Sequence, residues 1–444
     1  MDVIVVGGGI GGLSLALSLY QAGIKVRVYE AVSNPGPLGA GINLQPTAVR
    51  ELTELGLGDE LAQVGVAVQR LSLFSKFGQL ISEEPRGLSA GYRWPQYAIH
   101  RGRLQQLLLR AVSNRIGEEN VCTGFRLLGF EQDRDRVTAT FHDIASEADI
   151  TCSATILIGA DGIHSTVRRT LYPDEGEPCF ARQVLWRASV DAEPFLDGRT
   201  QIIAGHLHQR IIVYPMARAS STNLLTNWIC QMTVAETSFP REDWSRRVSK
   251  EKLLASFGAW RFPWLNLPEL IERTSEIFEF PLMDRDPIPS WTFGRVTVLG
   301  DAAHPMQPIG SQAGSQAIID GRVLTRALAS TSDPTLALRR YDEERRPAMN
   351  EIVLRNRKFG PEASLQFVEE RAPDGFDRIE DVISREELDG IIASFSSAAG
   401  IDVRAVNTRR SFIDSAQRTP SSACKSLSDR HSEAVDQFGP ISHF

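Results

Sequence analysis

Residues 3–30 read VIVVGGGIGGLSLALSLYQAGIKVRVYE, and this stretch decides the fold. A β-branched run at 3–6 gives way to glycines at 7–12, then to an apolar helical pattern over 13–22, then to a second strand over 25–30. This is one βαβ unit, the opening of a doubly wound α/β fold. Gly7, Gly9 and Gly12 fall in the spacing Gly-x-Gly-x-x-Gly. That spacing suits a tight turn and a close backbone approach to a pyrophosphate at a helix N-terminus. Glu30 ends the second strand, where a carboxylate can accept hydrogen bonds from a ribose 2′-hydroxyl and repels a 2′-phosphate. The plainer alternative is a glycine turn followed by an exposed Glu. The motif does not separate the adenosine of FAD from that of NAD.

The 444 residues exceed the usual single-core range, so two or three domains are expected. A net charge of −7 without any long Lys/Arg run lacks the footprint of a nucleic-acid binder. Five cysteines (Cys122, Cys152, Cys179, Cys230 and Cys424) are odd in number and form no CxxC pair, which argues against a disulfide framework and a zinc site. The N-terminus lacks the basic start and long apolar core of a signal peptide, and no apolar run approaches the ~20 residues of a membrane span. The expectation is a cytoplasmic protein, monomer or homodimer, with no membrane or nucleic-acid partner.

Amphipathic helices are expected over 47–61 and 103–112, covering the first sheet, with half-buried strands over 68–80 and 92–99 between them. Short strand-like runs at 185–190, 201–205, 210–214 and 224–234 predict a separate antiparallel sheet. Helical patterning follows at 250–257 and 268–272, and 296–299 reads as a buried strand returning to the first domain. Helices are then expected over 314–329 and 334–359, with helical character to about 398. The domains are therefore interleaved: 1–72, 98–181 and 275–350 form the first, 73–97 and 182–274 the second, 351–406 a helical region, and 407–444 a polar, mobile tail.

Residues 156–168, ILIGADGIHSTVR, resemble the Asp-Gly motif of the flavoprotein aromatic hydroxylases. Residues 294–306, GRVTVLGDAAHPM, resemble their Gly-Asp motif. With the N-terminal fingerprint these cover roughly residues 1–350, and the chain is identified as a member of the class A monooxygenases, in the salicylate and para-hydroxybenzoate hydroxylase group. The runs IHRGRLQ at 99–105 and PIGS at 308–311 are most similar to the methylphenazine-carboxylate monooxygenase branch.

The resemblance implies a Rossmann-like FAD-binding domain of the para-hydroxybenzoate hydroxylase fold, interleaved with an antiparallel β-sheet substrate domain and followed by a helical C-terminal region. It implies bound FAD, with NADH or NADPH as a transient co-substrate that has no fingerprint of its own, and O2 as the second co-substrate. The reaction implied is hydroxylation of an aromatic or heteroaromatic small molecule through a flavin C4a-hydroperoxide.

Residue by residue, the resemblance places Gly41, Gly300 and Asp301 at the cofactor, Asp301 accepting from the ribitol chain; in isolation Asp301 reads equally well as an N-cap. Arg101 and Gln105, one helical turn apart, would face phosphates or ribitol, or else be solvated. Asp161 and Arg168 would support the pyrophosphate and the nucleotide encounter, with a loop salt bridge as the alternative. Gly310 and Gly314 precede a helix whose N-terminal amides would favour negative charge on the reduced ring. One departure is Ala313, where the family commonly has Gly; here the Gly comes one position later.

Arg187, His206, His208, Arg210, Tyr214 and Trp228 are the substrate-side candidates, but alternation does not tell which face looks at the flavin. Tyr214 matches a position bordering the family's substrate cavity and is the preferred catalytic candidate. Arg187 or Arg210 could receive a substrate carboxylate. His304 reads as structural. Competing readings are a flavin-binding redox sensor or inactive scaffold, and a reductase, epoxidase or halogenase on the same fold. A Trp-x-Trp-x-Ile-Pro halogenase signature is absent.

Overall fold

The computed structural model describes residues 1–36, 40–235, 246–398 and 402–411, with backbone only for 361 and 392–398. The first strand, Asp2–Val6, is buried over Val3 to Val6 and lies inside a six-stranded sheet. It pairs in parallel with Lys25–Glu30 on one side and Ile156–Gly159 on the other; Val121–Thr123 and Val296–Val298 extend the sheet in parallel, and Thr292–Phe293 adds an antiparallel edge. Helices Ile10–Gln21, Arg101–Ile116 and Ala313–Ala329 pack together over it. Leu13, Leu15, Leu17, Leu104, Leu108, Ile318 and Leu324 join the strand residues in one continuous core.

A seven-stranded sheet forms the second unit, in the order Phe278–Asp284, Cys179–Ala192, Leu224–Thr233, Gln209–Arg218, Thr200–His206, Arg70–Phe74 and Leu80–Pro85. Both faces are buried, with different contents. Trp186, Ile211, Val213, Trp228 and Cys230 face a core closed by helices Lys250–Phe257 and Leu267–Arg273. Leu185, Arg187, Asn227, Ile229 and Tyr214 alternate with them and occupy the opposite face. A three-stranded sheet of Gly41–Leu44, Gln96–His100 and Gly65–Val68 bridges the two units, and Val68 and Ala98 pack on Tyr214 and Met216.

Several expectations shift. The single helix over 47–61 is two, Pro46–Glu54 and Gly58–Val64, because the chain turns at Gly56 with φ +75°. The boundary drawn at 72/73 falls inside strand Arg70–Phe74, that at 181/182 inside Cys179–Ala192, and that at 97/98 inside Gln96–His100. The boundary at 274/275 leaves out Phe278–Asp284, which pairs with Cys179–Ala192 and belongs to the substrate sheet. An antiparallel sheet of Phe125–Gln132, Val137–Asp143 and Ala148–Ala154 was not anticipated.

The first residues of the tail expected from 407 are ordered into the fold. Val403–Thr408 is a helix, and the segment after it docks on helix Pro46–Glu54. There the fully buried Glu51 meets Arg322 (3.2 Å) and Arg409, Ser411 donates to Glu54 (2.8 Å), and Arg50 donates to the Arg409 carbonyl (2.7 Å). Residues 412–444 lie outside the described residues. Among the described residues no helix is long and apolar enough to cross a membrane.

Arg322 is the most enclosed cation of this cluster, reaching Glu51, Glu54 and Gln21 together. Removing one partner from a buried ion pair strands the other, so Arg322→Ala is expected to lower the unfolding free energy by about 3 kcal/mol. Urea denaturation measures this, with the exposed Arg410→Ala close to the parent protein.

Candidate active site

The glycine turn is shaped by what a side chain would hit. Gly7 has φ +109°, and a Cβ there would sit 2.3 Å from the Ala160 carbonyl oxygen; a Cβ on Gly12 would sit 2.0 Å from the Gly7 oxygen. Beside Gly9 nothing lies within 4 Å. Two glycines are thus demanded by the protein's own backbone, while the third opens onto free space at the start of helix Ile10–Gln21, whose N-terminus has no side-chain cap. Uncapped amides beside an open approach suit an anionic group. Glu30 steadies the turn: one carboxylate oxygen accepts the Gly8 N–H (2.6 Å) and the other the Val32 N–H (2.8 Å). Gln105 donates to the Gly8 carbonyl (2.9 Å), so it braces the turn.

The two later motifs meet at this end of the sheet. Asp161 accepts from the Thr166 and Val167 amides (2.7 and 3.2 Å) and from the Ser165 hydroxyl, capping the short helix Thr166–Leu171. Burial pushes its carboxyl up against these bonds. Arg168 is buried and fully occupied. It binds Glu175 and donates to the carbonyls of Ala302 (3.3 Å), Ala303 (3.0 Å) and Asp286 (2.9 Å). Arg168 therefore ties the Asp-Gly segment to the Gly-Asp segment through its salt bridge and carbonyl contacts, the salt-bridge alternative of the sequence reading.

Asp301 is the opposite case. It sits in the 3₁₀ turn Gly300–Ala302, accessible to solvent, and accepts no hydrogen bond among the described residues. It is nevertheless enclosed deep in the protein, where burial pushes its carboxyl up while His304 and Arg101 pull it down. Asp301 forms no N-cap bond among the described residues, and its carboxylate is open to a ligand. The turn beneath it hangs on Asp320, fully buried, which accepts from the Gly300 amide (3.0 Å), His304 Nε2 (2.6 Å) and Arg345 Nε (2.7 Å). Burial would raise the Asp320 carboxyl, but His304 and Arg345 outweigh it and bring it to about 2. Sequence reading missed Asp320; an acidic residue within the apolar run 317–324 was its only signal.

The substrate sheet reaches the cleft at Gly41. Its N–H donates to Asn227 Oδ1 (2.8 Å), and its carbonyl accepts from Arg187 Nη2 (2.9 Å). A Cβ there would lie 2.5 Å from Tyr214 Cε2. Arg101 follows closely in space, its amide donating to the Ala40 carbonyl (3.0 Å). Arg187, Asn227 and Tyr214 share the face that meets the first domain. Trp228 lies on the other face, its indole N–H on Thr274 Oγ1 (3.0 Å). His206 and His208 sit at the hairpin joining two strands, with His208 on Thr233. Arg210 is spent internally on Glu362 and Gln231, so its role as a carboxylate receptor is corrected; Arg187 remains.

At the far end, Gly310 and Ser311 both take left-handed backbone angles (φ +64° and +54°) just before helix Ala313–Ala329, whose N-terminus is again uncapped. Gly314 accommodates Ile42, whose Cδ1 would lie 2.6 Å from a Cβ at that position. Ala313 is the first helical residue. The open glycine turn, Glu30, the unclaimed Asp301 and a second uncapped helix form a run of groups that fits FAD from adenosine to ring.

The profile of the FAD binding domain family matches residues 1–356. The chain belongs to this family. It is 42% identical over 362 residues to the phenazine 1,6-dicarboxylic acid hydroxylase PhzS of Lysobacter antibioticus, covering 80% of this chain and 89% of that protein. A 3-hydroxybenzoate 6-hydroxylase of Aquipseudomonas alcaligenes is 30% identical, with 78% and 84% covered. Among solved structures, a variant of Klebsiella pneumoniae HpxO complexed with FAD superposes with a TM-score of 0.72 at 25% identity, covering 90% of this chain and 98% of that one. A salicylate hydroxylase substrate complex gives a TM-score of 0.70 at 20% identity, with 92% and 97% covered, and supports the fold alone.

Because the folded Asp320 carboxyl lies below its ordinary value of 3.8, it stabilises the fold above that value, and the contribution is lost as pH falls towards about 2. Stability of the parent protein should therefore drop more steeply between these two values than that of Asp320→Asn, followed by denaturant titration at each pH. Gly12→Ala, which places a methyl against the Gly7 oxygen, should abolish FAD uptake as read by flavin fluorescence quenching.

Proposed function

We propose that this FAD-dependent aromatic hydroxylase takes a carboxylated heteroaromatic ring and that Arg187 receives the carboxylate. The observation that carries the reading is the state of Arg187. It is half-buried at the junction of the two units, and among the described residues its Nε has no hydrogen-bond partner and the ionisable groups acting on it are Tyr214 and Arg101, with no carboxylate. Burial lowers its pKa, and Arg101 adds to that. A buried guanidinium without an anion is unfavourable, and a substrate carboxylate supplies one. The relative that hydroxylates a phenazine dicarboxylic acid supports the same class.

Bound FAD, reduced by NAD(P)H, supplies the oxygen activation. The chain's own residues do the rest. Tyr214 is held against Gly41, and burial pushes its phenol up to about 12, opposed by Arg187. It therefore stays protonated at neutral pH and serves as a hydrogen-bond donor rather than as a base. The packed contact of Val68, Ala98, Tyr214 and Met216 excludes water from that wall. A cavity of about 550 Å³ lies beside the Asp-Gly segment, where Arg126, Arg168, Arg169 and Arg285 outnumber Glu175 and Glu177 in its lining. The excess of arginines in its lining supports the encounter with the phosphates of NADH or NADPH.

The test follows aerobic NADH and NADPH oxidation with phenazine carboxylates, hydroxybenzoates, salicylates and quinolones, quantifying hydroxylated product and peroxide. Product formed in step with nucleotide consumed is expected for the carboxylated rings. Slow peroxide release with every compound would favour the sensor reading. Arg187→Ala should raise KM for the carboxylated substrate ~10- to 100-fold, as expected for losing hydrogen bonds to a charged group. The KM of a ring lacking the carboxylate should rise much less, the remaining rise reflecting the lost hydrogen bond from Arg187 to the Gly41 carbonyl.

A further inference from the structure

The turn at Gly310 closes the ring end of the site in an unusual conformation, and something must hold it there. Two successive left-handed residues, the second a serine, are unfavourable by ~1–3 kcal/mol and persist only where the surroundings over-determine them. The Gly310 carbonyl accepts from Gln45 Nε2 (3.3 Å) and Gln312 Nε2 (3.2 Å). Its N–H points the other way, to Glu362 Oε1 (3.4 Å). Glu362 comes from the C-terminal region, in the 3₁₀ turn Gly360–Glu362, and is buried.

What fixes Glu362 is the substrate sheet. Its other carboxylate oxygen accepts from Arg210 Nη1. Arg210 donates through Nε (3.2 Å) and Nη2 (3.1 Å) to Gln231 Oε1 and stacks over Phe359, 5.7 Å from its centroid. Gln231 in turn donates to Gln183, which donates to the Leu207 carbonyl (3.1 Å). A continuous polar chain therefore runs from the substrate sheet through Arg210 and Glu362 to the Gly310 amide. Arg210 and Tyr214 lie on the same strand and the same face, so one strand carries both a cleft residue and the support of the turn.

We propose that Glu362, held by Arg210, is a positioning residue that fixes the Gly310 turn, aims the following helix N-terminus at the flavin ring, and thereby keeps nucleotide oxidation coupled to hydroxylation. The proposal rests on the FAD-dependent reading above. It gives the apparent substrate ligand Arg210 its work: it acts through Glu362 on the cofactor side without touching substrate.

The experiment compares the FAD-loaded parent protein with Glu362→Ala, Glu362→Gln and Arg210→Lys. Four readouts are taken: FAD affinity by fluorescence quenching on titrating apoprotein, the visible flavin spectrum, the flavin reduction potential, and product per NAD(P)H. Glu362→Ala should still bind FAD, since the adenosine end is untouched, but with a shifted spectrum and potential and a product ratio lowered about tenfold, in line with slight misplacement of reacting groups. Glu362→Gln, which keeps an acceptor for the Gly310 N–H, should recover much of the ratio. Should Glu362→Ala fail to fold, Glu362→Gln and Arg210→Lys carry the test: a potential and ratio between those of parent and uncoupled enzyme are then expected. A purely structural role would lower thermal stability in these variants and leave spectrum, potential and ratio as in the parent; that result overturns the proposal. A parent protein that binds no FAD or forms no product would overturn the functional reading and the proposal together, whereas a competent parent with unaltered variants removes the proposal alone.

Discussion

The site depends on one contact, the meeting of Gly41 with the substrate sheet. Both halves of its backbone are taken from across the junction, the N–H by Asn227 and the carbonyl by Arg187, and the ring of Tyr214 fills the place of its missing side chain. Buried backbone groups must be paired, and here the pairing partners belong to the other unit. The three-stranded sheet that carries Gly41 also carries His100, directly ahead of Arg101. One close approach therefore sets the distance between the candidate cofactor groups of the first unit and the candidate substrate groups of the second.

Charged residues in this protein divide into those that hold it together and those left open to a ligand. Arg168, Arg210, Arg322 and Asp320 have their hydrogen-bonding groups committed to internal partners, joining segments far apart in sequence. Asp301 and the Nε of Arg187 have none among the described residues. Unclaimed polar groups at depth are costly unless a ligand completes them. Asp301 and Arg187 are therefore the candidates for ligand contact, and the four committed residues belong to the scaffold.

Much of this was legible in the sequence, because the glycine turn, the strand pattern and the three motifs each carry local signals. The rest was not, for physical reasons. Alternation could not choose a face for Tyr214 and Arg187, since the sheet buries both faces and its back face holds Trp186 and Trp228. Arg168 and Arg210 read as ligand-binding because nothing local shows their partners; Arg210 meets Glu362 from 152 residues away. The strands between 125 and 154 were missed because polar and charged residues such as Arg126, Glu131 and Asp149 occupy much of their length, leaving a weak apolar alternation. The docking of 409–411 depends on the buried Glu51, whose pairing is tertiary.

The most direct measurement is the ratio of hydroxylated product to NAD(P)H consumed in Gly41→Ala, taken together with its FAD content. The added methyl collides with the buried ring of Tyr214 while leaving the glycine turn and Asp301 untouched. Retained FAD with a sharply lowered ratio is the expected result. Retained FAD with the ratio of the parent protein would contradict the view that this junction places the substrate ring against the cofactor.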